Sequence, residues 1–214
     1  MLITPKRNMI VLVSIIMILV MFAIVPWLTK TLPSPIGYFS VFLIYWVGFC
    51  LPFGLWFQGR NAIISNLSFD FGANKWVPWA IGVQVALVGI SNWFLLPYGP
   101  LVTAFLLAVV FGTVNGFLEE LFWRGAYLEQ GGRQSAKLMA VSATLFGIWH
   151  LALGSAYGVI YEGGVLALVC GGFVLGVFWT FVAFRTGKTG WTTIAHILTN
   201  IAAFTGLIAS NFVG

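Results

Sequence analysis

The chain has 214 residues, 60% of them hydrophobic and 7% charged. Soluble domains carry nearer a quarter charged residues, so a soluble domain is excluded and an all-α polytopic membrane protein is predicted. The net charge is +5, but the basic residues stand in ones and twos between apolar runs, which excludes a nucleic-acid-binding patch and reads as membrane orientation.

Seven apolar segments follow one another, at 9–29, 37–58, 76–96, 101–129, 137–153, 163–184 and 190–211. They predict about seven transmembrane helices in a single transmembrane domain, residues 1–214. The first follows Lys6 and Arg7 as the apolar core of a signal peptide would. It has the length of a full span and no small-residue cleavage site after it, so it reads as a retained helix. Pro and Gly punctuate the gaps, with "TLPSP" at 31–35, "PYGP" at 97–100, "QGG" at 130–132, "YEGG" at 161–164 and "RTGKTG" at 185–190. There is no internal repeat, low-complexity tract or soluble domain.

With a cytoplasmic N-terminus, the inside loops hold Lys6, Arg7, Arg60, Lys75, Arg133, Lys137, Arg185 and Lys188, and the outside loops hold only Lys30. That asymmetry predicts this orientation and an outside C-terminus. Trp56, Trp76, Trp79 and Trp191 fall near inner helix ends and Trp27 and Trp93 near outer ends, as an aromatic belt requires. The two cysteines, Cys50 and Cys170, lie inside different apolar runs and read as free, buried thiols. Gly112 with Gly116, and Gly172 with Gly176, have small-xxx-small spacing. Either they let helices pack closely, or they reflect the frequency of glycine in membrane helices.

Five residues are acidic, and two of them, Glu119 and Glu120, are adjacent in the fourth segment with Arg124 close behind. Adjacent helical residues point about 100° apart. Glu120 and Arg124, four apart, share a face and can pair; Glu119 points elsewhere, toward the face of Asn115. The two acids are therefore expected to do different jobs. An ionisable group at a helix centre costs about 2.5–3.5 kcal/mol on insertion scales, so the three groups need pairing, water or a function. A fourth helix running past the membrane, with its acids in cytoplasmic water, would also accommodate them.

Both histidines fall at membrane depth: His150 closes "LFGIWH", and His196 opens "HILTN" with Asn200 one turn on. At about 1.5 Å per helical residue, Glu119, His150, His196 and Asn200 lie about 16, 20, 9 and 15 Å from the cytoplasmic loops. These depths agree within the uncertainty of the segment ends. They predict one pocket among helices 4, 5 and 7, open to the cytoplasmic side.

"EELFWRG", "FGIWH" and "HILTN" resemble the EExxxR, FxxxH and HxxxN motifs of the CPBP intramembrane proteases. This is the family of type II CAAX prenyl endopeptidases and bacteriocin-processing enzymes, also called the ABI family. The motifs occur in the family's order, on separate helices, between residues 119 and 200. The resemblance marks a catalytic core at 101–211, and segments one to three carry nothing diagnostic.

The resemblance implies hydrolysis of a peptide bond in a membrane-associated or lipidated peptide or protein, in a multi-pass protein of a prokaryotic plasma membrane. It implies that Glu119 and His150 hold and activate water, that His196 and Asn200 stabilise the oxyanion, and that Glu120 and Arg124 orient the site. No cofactor is firmly expected. Glu119, His150 and His196 also form a ligand set of the kind catalytic zinc uses, but the HExxH pattern of soluble zincins is absent, and the metal-free reading is taken as the expectation. Two other functions fit embedded Glu, Arg and His: a proton-coupled transporter, against which the lack of an inverted repeat argues, and a non-catalytic membrane binding or immunity protein. The bilayer and a membrane peptide substrate are the expected partners, nucleic acid is not, and the oligomeric state is open.

Overall fold

A computed structural model of the chain describes residues 5–72, 74–95 and 101–213. Every regular element among them is a helix. α1 is Pro5–Thr31. α2 is Ile36–Gln58, with a π turn at Trp46–Cys50. α3 is the short Arg60–Asn66 and α4 is Val77–Leu95. α5 starts as Leu101–Glu119, passes through a π turn at Glu120–Ala126 and closes as Tyr127–Gly131. α6 is Ala136–Leu153, α7 Gly164–Thr186 and α8 Gly190–Asn211.

Six of these helices are long and apolar enough to cross a membrane, and the apolar stretch of α4, Val77–Asn92, is shorter. An apolar segment of this length closes its backbone hydrogen bonds within itself, as hydrocarbon demands. The outward faces are apolar, with Leu19, Leu43, Leu87, Val102, Leu166 and Val174 all exposed. Trp27, Trp56, Trp76 and Trp79 are also exposed near helix ends, where amphipathic rings belong. The side chain of Trp93 and the break at 97–100 lie outside the described residues. Both cysteines are free, but only Cys50 is buried; Cys170 is exposed, because its face of α7 points outward rather than into the bundle.

The ends of the bundle are tied by polar contacts. At the basic-loop end, Arg7 donates to Ser135 Oγ (2.7 Å) and Lys188 to the Ser65 carbonyl (2.7 Å). Ser135 caps α6 by accepting from the Leu138 N–H, and Gly187, at φ 72°, ends α7 in the left-handed region that favours glycine. At the opposite end, the α6–α7 loop is pinned by the Tyr157 N–H to Thr29 Oγ1 (2.8 Å) and by Asn211, whose amide exchanges bonds with the Ile160 backbone (2.7 and 2.9 Å).

α5 and α8 pack along each other over much of their length, and glycine sets their separation. A Cβ on Gly112 would stand 2.8 Å from the backbone N of Ile201, and one on Gly116 2.8 Å from that of Ile197. This pair serves close helix packing. The other pair is different: Cβ atoms at Gly172 and Gly176 would each meet an aromatic ring of α6 at 2.5 Å, His150 and Phe146 respectively. Those glycines make room for side chains of the site.

Candidate active site

Glu119 and Glu120 sit where α5 changes from α to π winding. Such turns insert a local offset and are frequent at functional sites. The carboxylates have separate partners, as their facing predicted, but they converge on one imidazole. His196 Nε2 lies 3.2 Å from Glu119 Oε2, and His196 Nδ1 lies 3.0 Å from Glu120 Oε1. The π turn begins at Glu120, and α8 presents His196 between the two acids.

Glu119 is buried and its acceptor capacity is filled. Oε1 accepts from Tyr45 Oη (2.9 Å) and Trp149 Nε1 (3.0 Å). Oε2 accepts from Asn115 Nδ2 (2.8 Å) and faces His196. Four donors match the roughly four lone-pair sites of a carboxylate. Tyr45 is itself fixed by Trp123, whose Nε1 donates to Oη at 2.7 Å, and its ring stacks on Trp149 at 4.2 Å. The Asn115 carbonyl accepts from Trp46 Nε1 at 2.8 Å.

Glu120 is wholly buried and shares Oε1 between His196 and Arg124 Nη1 (3.1 Å), while Oε2 accepts from Thr192 Oγ1 (2.6 Å). Arg124, also wholly buried, lies over the Phe146 ring at 4.0 Å and near that of Trp179 at 5.5 Å. Its Nη2 donates to the Gly176 carbonyl at 3.4 Å. The imidazole of His196 is packed against Trp179 at 4.2 Å and meets the edge of Phe146 at 5.8 Å. A ring with both nitrogens facing carboxylate oxygens matches imidazolium, which donates twice. With guanidinium and imidazolium against two carboxylates, the cluster is neutral as a unit, which lets four ionisable groups share a low-dielectric interior.

His150 stands apart from this cluster. Its Nδ1 is 2.9 Å from the Phe146 carbonyl, and its ring meets that of Phe146 edge-on at 4.7 Å. Phe146, one turn earlier on α6, touches both imidazoles. Asn200 Nδ2 is buried without a hydrogen-bond partner among the described residues. His150, His196 and Asn200 line one cavity of about 390 Å³, and Glu119 lies behind its wall, reached through His196.

The cavity lies between α4 and α7, with α8 beneath. The two walls meet near the basic-loop end, where Gln84 accepts from Trp179 Nε1 (3.1 Å) and donates to Thr199 (3.0 Å), and Trp76 packs on Phe181. From there the lining runs through Leu87, Ser91, Leu168 and Ala203 to Tyr161 and Glu162 of the α6–α7 loop. The pocket expected to open toward the basic loops therefore extends toward the other end of the bundle. Gln84 and Trp179 close it at the basic end.

The predicted site residues are thus two groups: Glu119, Glu120, Arg124 and His196 in one bonded cluster, and His150 and Asn200 at the cavity wall beside it. The zinc set of Glu119, His150 and His196 does not converge. Both nitrogens of His196 face carboxylates, His150 faces a backbone carbonyl, and among the described residues no three His, Cys, Asp or Glu side chains are grouped to hold a metal. As arranged, these donors do not fit tetrahedral zinc. Sequence reasoning missed Tyr45, Trp149, Trp123 and Thr192, and it found nothing diagnostic in α2, which supplies Tyr45.

A family model described as type II CAAX prenyl endopeptidase Rce1-like matches residues 101–202, the stretch from the start of α5 to just past Asn200. Over that stretch, a little under half of the chain, the sequence is similar to the Rce1-like family, as its three motifs suggested, which supports a CAAX-type intramembrane endopeptidase in general terms. No curated protein and no solved structure matches the chain.

Proposed function

We propose that the protein is an intramembrane endopeptidase that hydrolyses a peptide bond of a membrane-associated or lipidated peptide, with Glu119 as the base. The observation that carries this reading is the Glu119 carboxylate, held by Tyr45, Trp149 and Asn115 and in contact with His196, which lines the cavity. The His196 contact, at 3.2 Å, is the longest of its four. Water enters there, between Glu119 Oε2 and His196 Nε2, with His150, across the Phe146 ring from His196, to orient it.

Glu119 takes one proton from the water, and the oxygen attacks the carbonyl carbon of the scissile bond. The oxyanion is met by the free Asn200 Nδ2 and by the His196 imidazolium. The C–N bond then breaks, and the proton held by Glu119 passes to the leaving nitrogen. Glu120, Arg124 and Thr192 fix the imidazole and supply the counter-charges.

The test is Glu119→Gln, which keeps the shape and removes the basic oxygen. In proteoliposomes with a quenched fluorescent peptide lipidated at cysteine, turnover is expected to fall by about 100- to 10,000-fold, with insertion and folding retained. Near-normal turnover by the folded variant sinks the assignment. Elemental analysis of the purified protein, with turnover before and after chelation, separates this reading from a zinc one. Stoichiometric zinc, with activity lost on chelation and restored by zinc, overturns the water-and-carboxylate mechanism.

A further inference from the structure

The cavity has a second polar end that the reaction does not use. Glu162 lines it from the α6–α7 loop. Among the described residues, its buried Oε1 has no hydrogen-bond partner and the carboxylate makes no ion pair. The loop that carries it is clamped at Tyr157 and Ile160 by Thr29 and Asn211, which fixes the backbone from which this partly buried carboxylate projects. It lies against Gly206 of α8, where any side chain would collide with it. Burial raises its pKa, the mark of a carboxylate that lacks a cation. Lys30, at the end of α1, lies over the Tyr157 ring at 5.6 Å.

We infer that Glu162 is a specificity residue that receives a cationic group of the substrate, a lysine or arginine side chain or a free α-ammonium. Its distance from the reacting bond follows from α8. Gly206 is six residues beyond Asn200, about 9 Å along the helix axis. An extended peptide covers that in about three residues. The preferred substrate therefore carries a positive charge about three residues from the bond that is cut. The cation would supply the partner that the buried Oε1 lacks, in an apolar cavity where a charge-assisted bond is stronger than in water.

This inference rests on the endopeptidase reading, and binding and cleavage are measured separately so that either can fail alone. The probes are lipidated peptides, otherwise neutral, with one lysine moved through positions one to five on each side of the cleaved bond, and a peptide with none. Binding is followed by fluorescence anisotropy with the full-length protein in nanodiscs. The best lysine peptide is expected to show about 10- to 100-fold higher affinity and kcat/KM than the lysine-free one, with the ratio appearing in KM. In Glu162→Gln and in Gly206→Ala, which displaces the carboxylate without removing its charge, that ratio falls to about one. In Glu162→Lys it inverts, and a glutamate peptide is preferred, which a merely structural role for Glu162 would not produce. Cleavage with no charge preference, or a preference that survives Glu162→Gln, overturns the inference and leaves the endopeptidase reading standing. Lysine-dependent binding through Glu162 without cleavage supports the cation site and sinks the endopeptidase reading.

Discussion

The two ends of the cavity treat a carboxylate in opposite ways. Beside the basic-end closure, Glu119 and Glu120 have a donor on every oxygen, drawn from α2, α5, α6 and α8. At the α6–α7 loop, Glu162 has an oxygen buried with no donor among the described residues. A carboxylate saturated from four helices is preorganised and changes partner only when something enters. A carboxylate left short waits for a partner from outside. Under the roles proposed above, the same side chain serves chemistry at one end and recognition at the other, and substitutions at each end should fail in different ways.

The largest effect is expected at Arg124. Arg124→Leu leaves Glu120 buried with its main counter-charge gone, and removing one partner of a buried pair costs about 3–5 kcal/mol. The variant should be recovered in poor yield and melt early in detergent. Glu120→Leu combined with Arg124→Leu should regain part of the stability while remaining inactive. A single variant as stable as the parent would show that the pair does not hold the saturated end together. Next is Asn200→Ala, which removes an unpartnered amide donor from the cavity wall. Turnover is expected to fall about 100- to 1,000-fold with little change in melting temperature, because no protein partner of that amide nitrogen is orphaned. An equal loss of stability would mean that Asn200 serves packing.

The residues that define this contrast were unequally legible. Acids and histidines are scarce in so apolar a chain, so Glu119, Glu120, Arg124, His150, His196 and Asn200 stand out, and their motifs named the family before any geometry was known. Most long helices were equally plain, since span length and Pro/Gly breaks bound their segments. The short α3 was not anticipated, and six described helices rather than about seven are long and apolar enough to cross a membrane. Tyr45, Trp123 and Trp149 were hidden by their own kind: the chain has 10 Trp and 6 Tyr, and belt and packing explain most aromatics without a site. Depth along a helix axis also says nothing about direction around it. His150 has the right depth to reach Glu119, but the Phe146 ring packs against both imidazoles, and His150 turns to the cavity. The π turn that brings both acids to His196 leaves no signature in the apolar pattern, so the separate facing of Glu119 and Glu120 was read correctly and their convergence was not. Loop residues such as Glu162 gave no signal beyond their charge.

Tyr45→Phe tests the saturation of Glu119 more gently. It deletes one of four donors and leaves Trp123 Nε1 without its acceptor. A single buried hydrogen bond is worth about 1 kcal/mol net, so kcat should fall about five- to tenfold, with KM for a neutral peptide little altered. A change confined to KM would place Tyr45 in substrate binding and blur the distinction between the two ends.

The smallest effect is expected at Glu162 in the absence of substrate, and its pH dependence carries the information. Burial raises the folded-state pKa of this partly exposed carboxyl, so its protonated form is favoured in the folded protein. A group of that kind contributes stability that is fully present below its unfolded pKa and is lost as pH rises through the folded value. A glutamine side chain mimics the protonated acid at every pH. Glu162→Gln should therefore match the parent in melting temperature below the ordinary carboxylate range and exceed it above the raised pKa, by about 1–2 °C, because solvent screens a group this exposed. Adding a saturating lysine peptide at neutral pH should close the gap from the parent's side, since the bound cation relieves the penalty on Glu162 and finds no carboxylate in the variant. Thermal melts in detergent across the acidic to neutral range, with and without peptide, measure both. A melting difference that shrinks as pH rises would mean that Glu162 already has a partner within the protein, and the two ends of the cavity would then be alike.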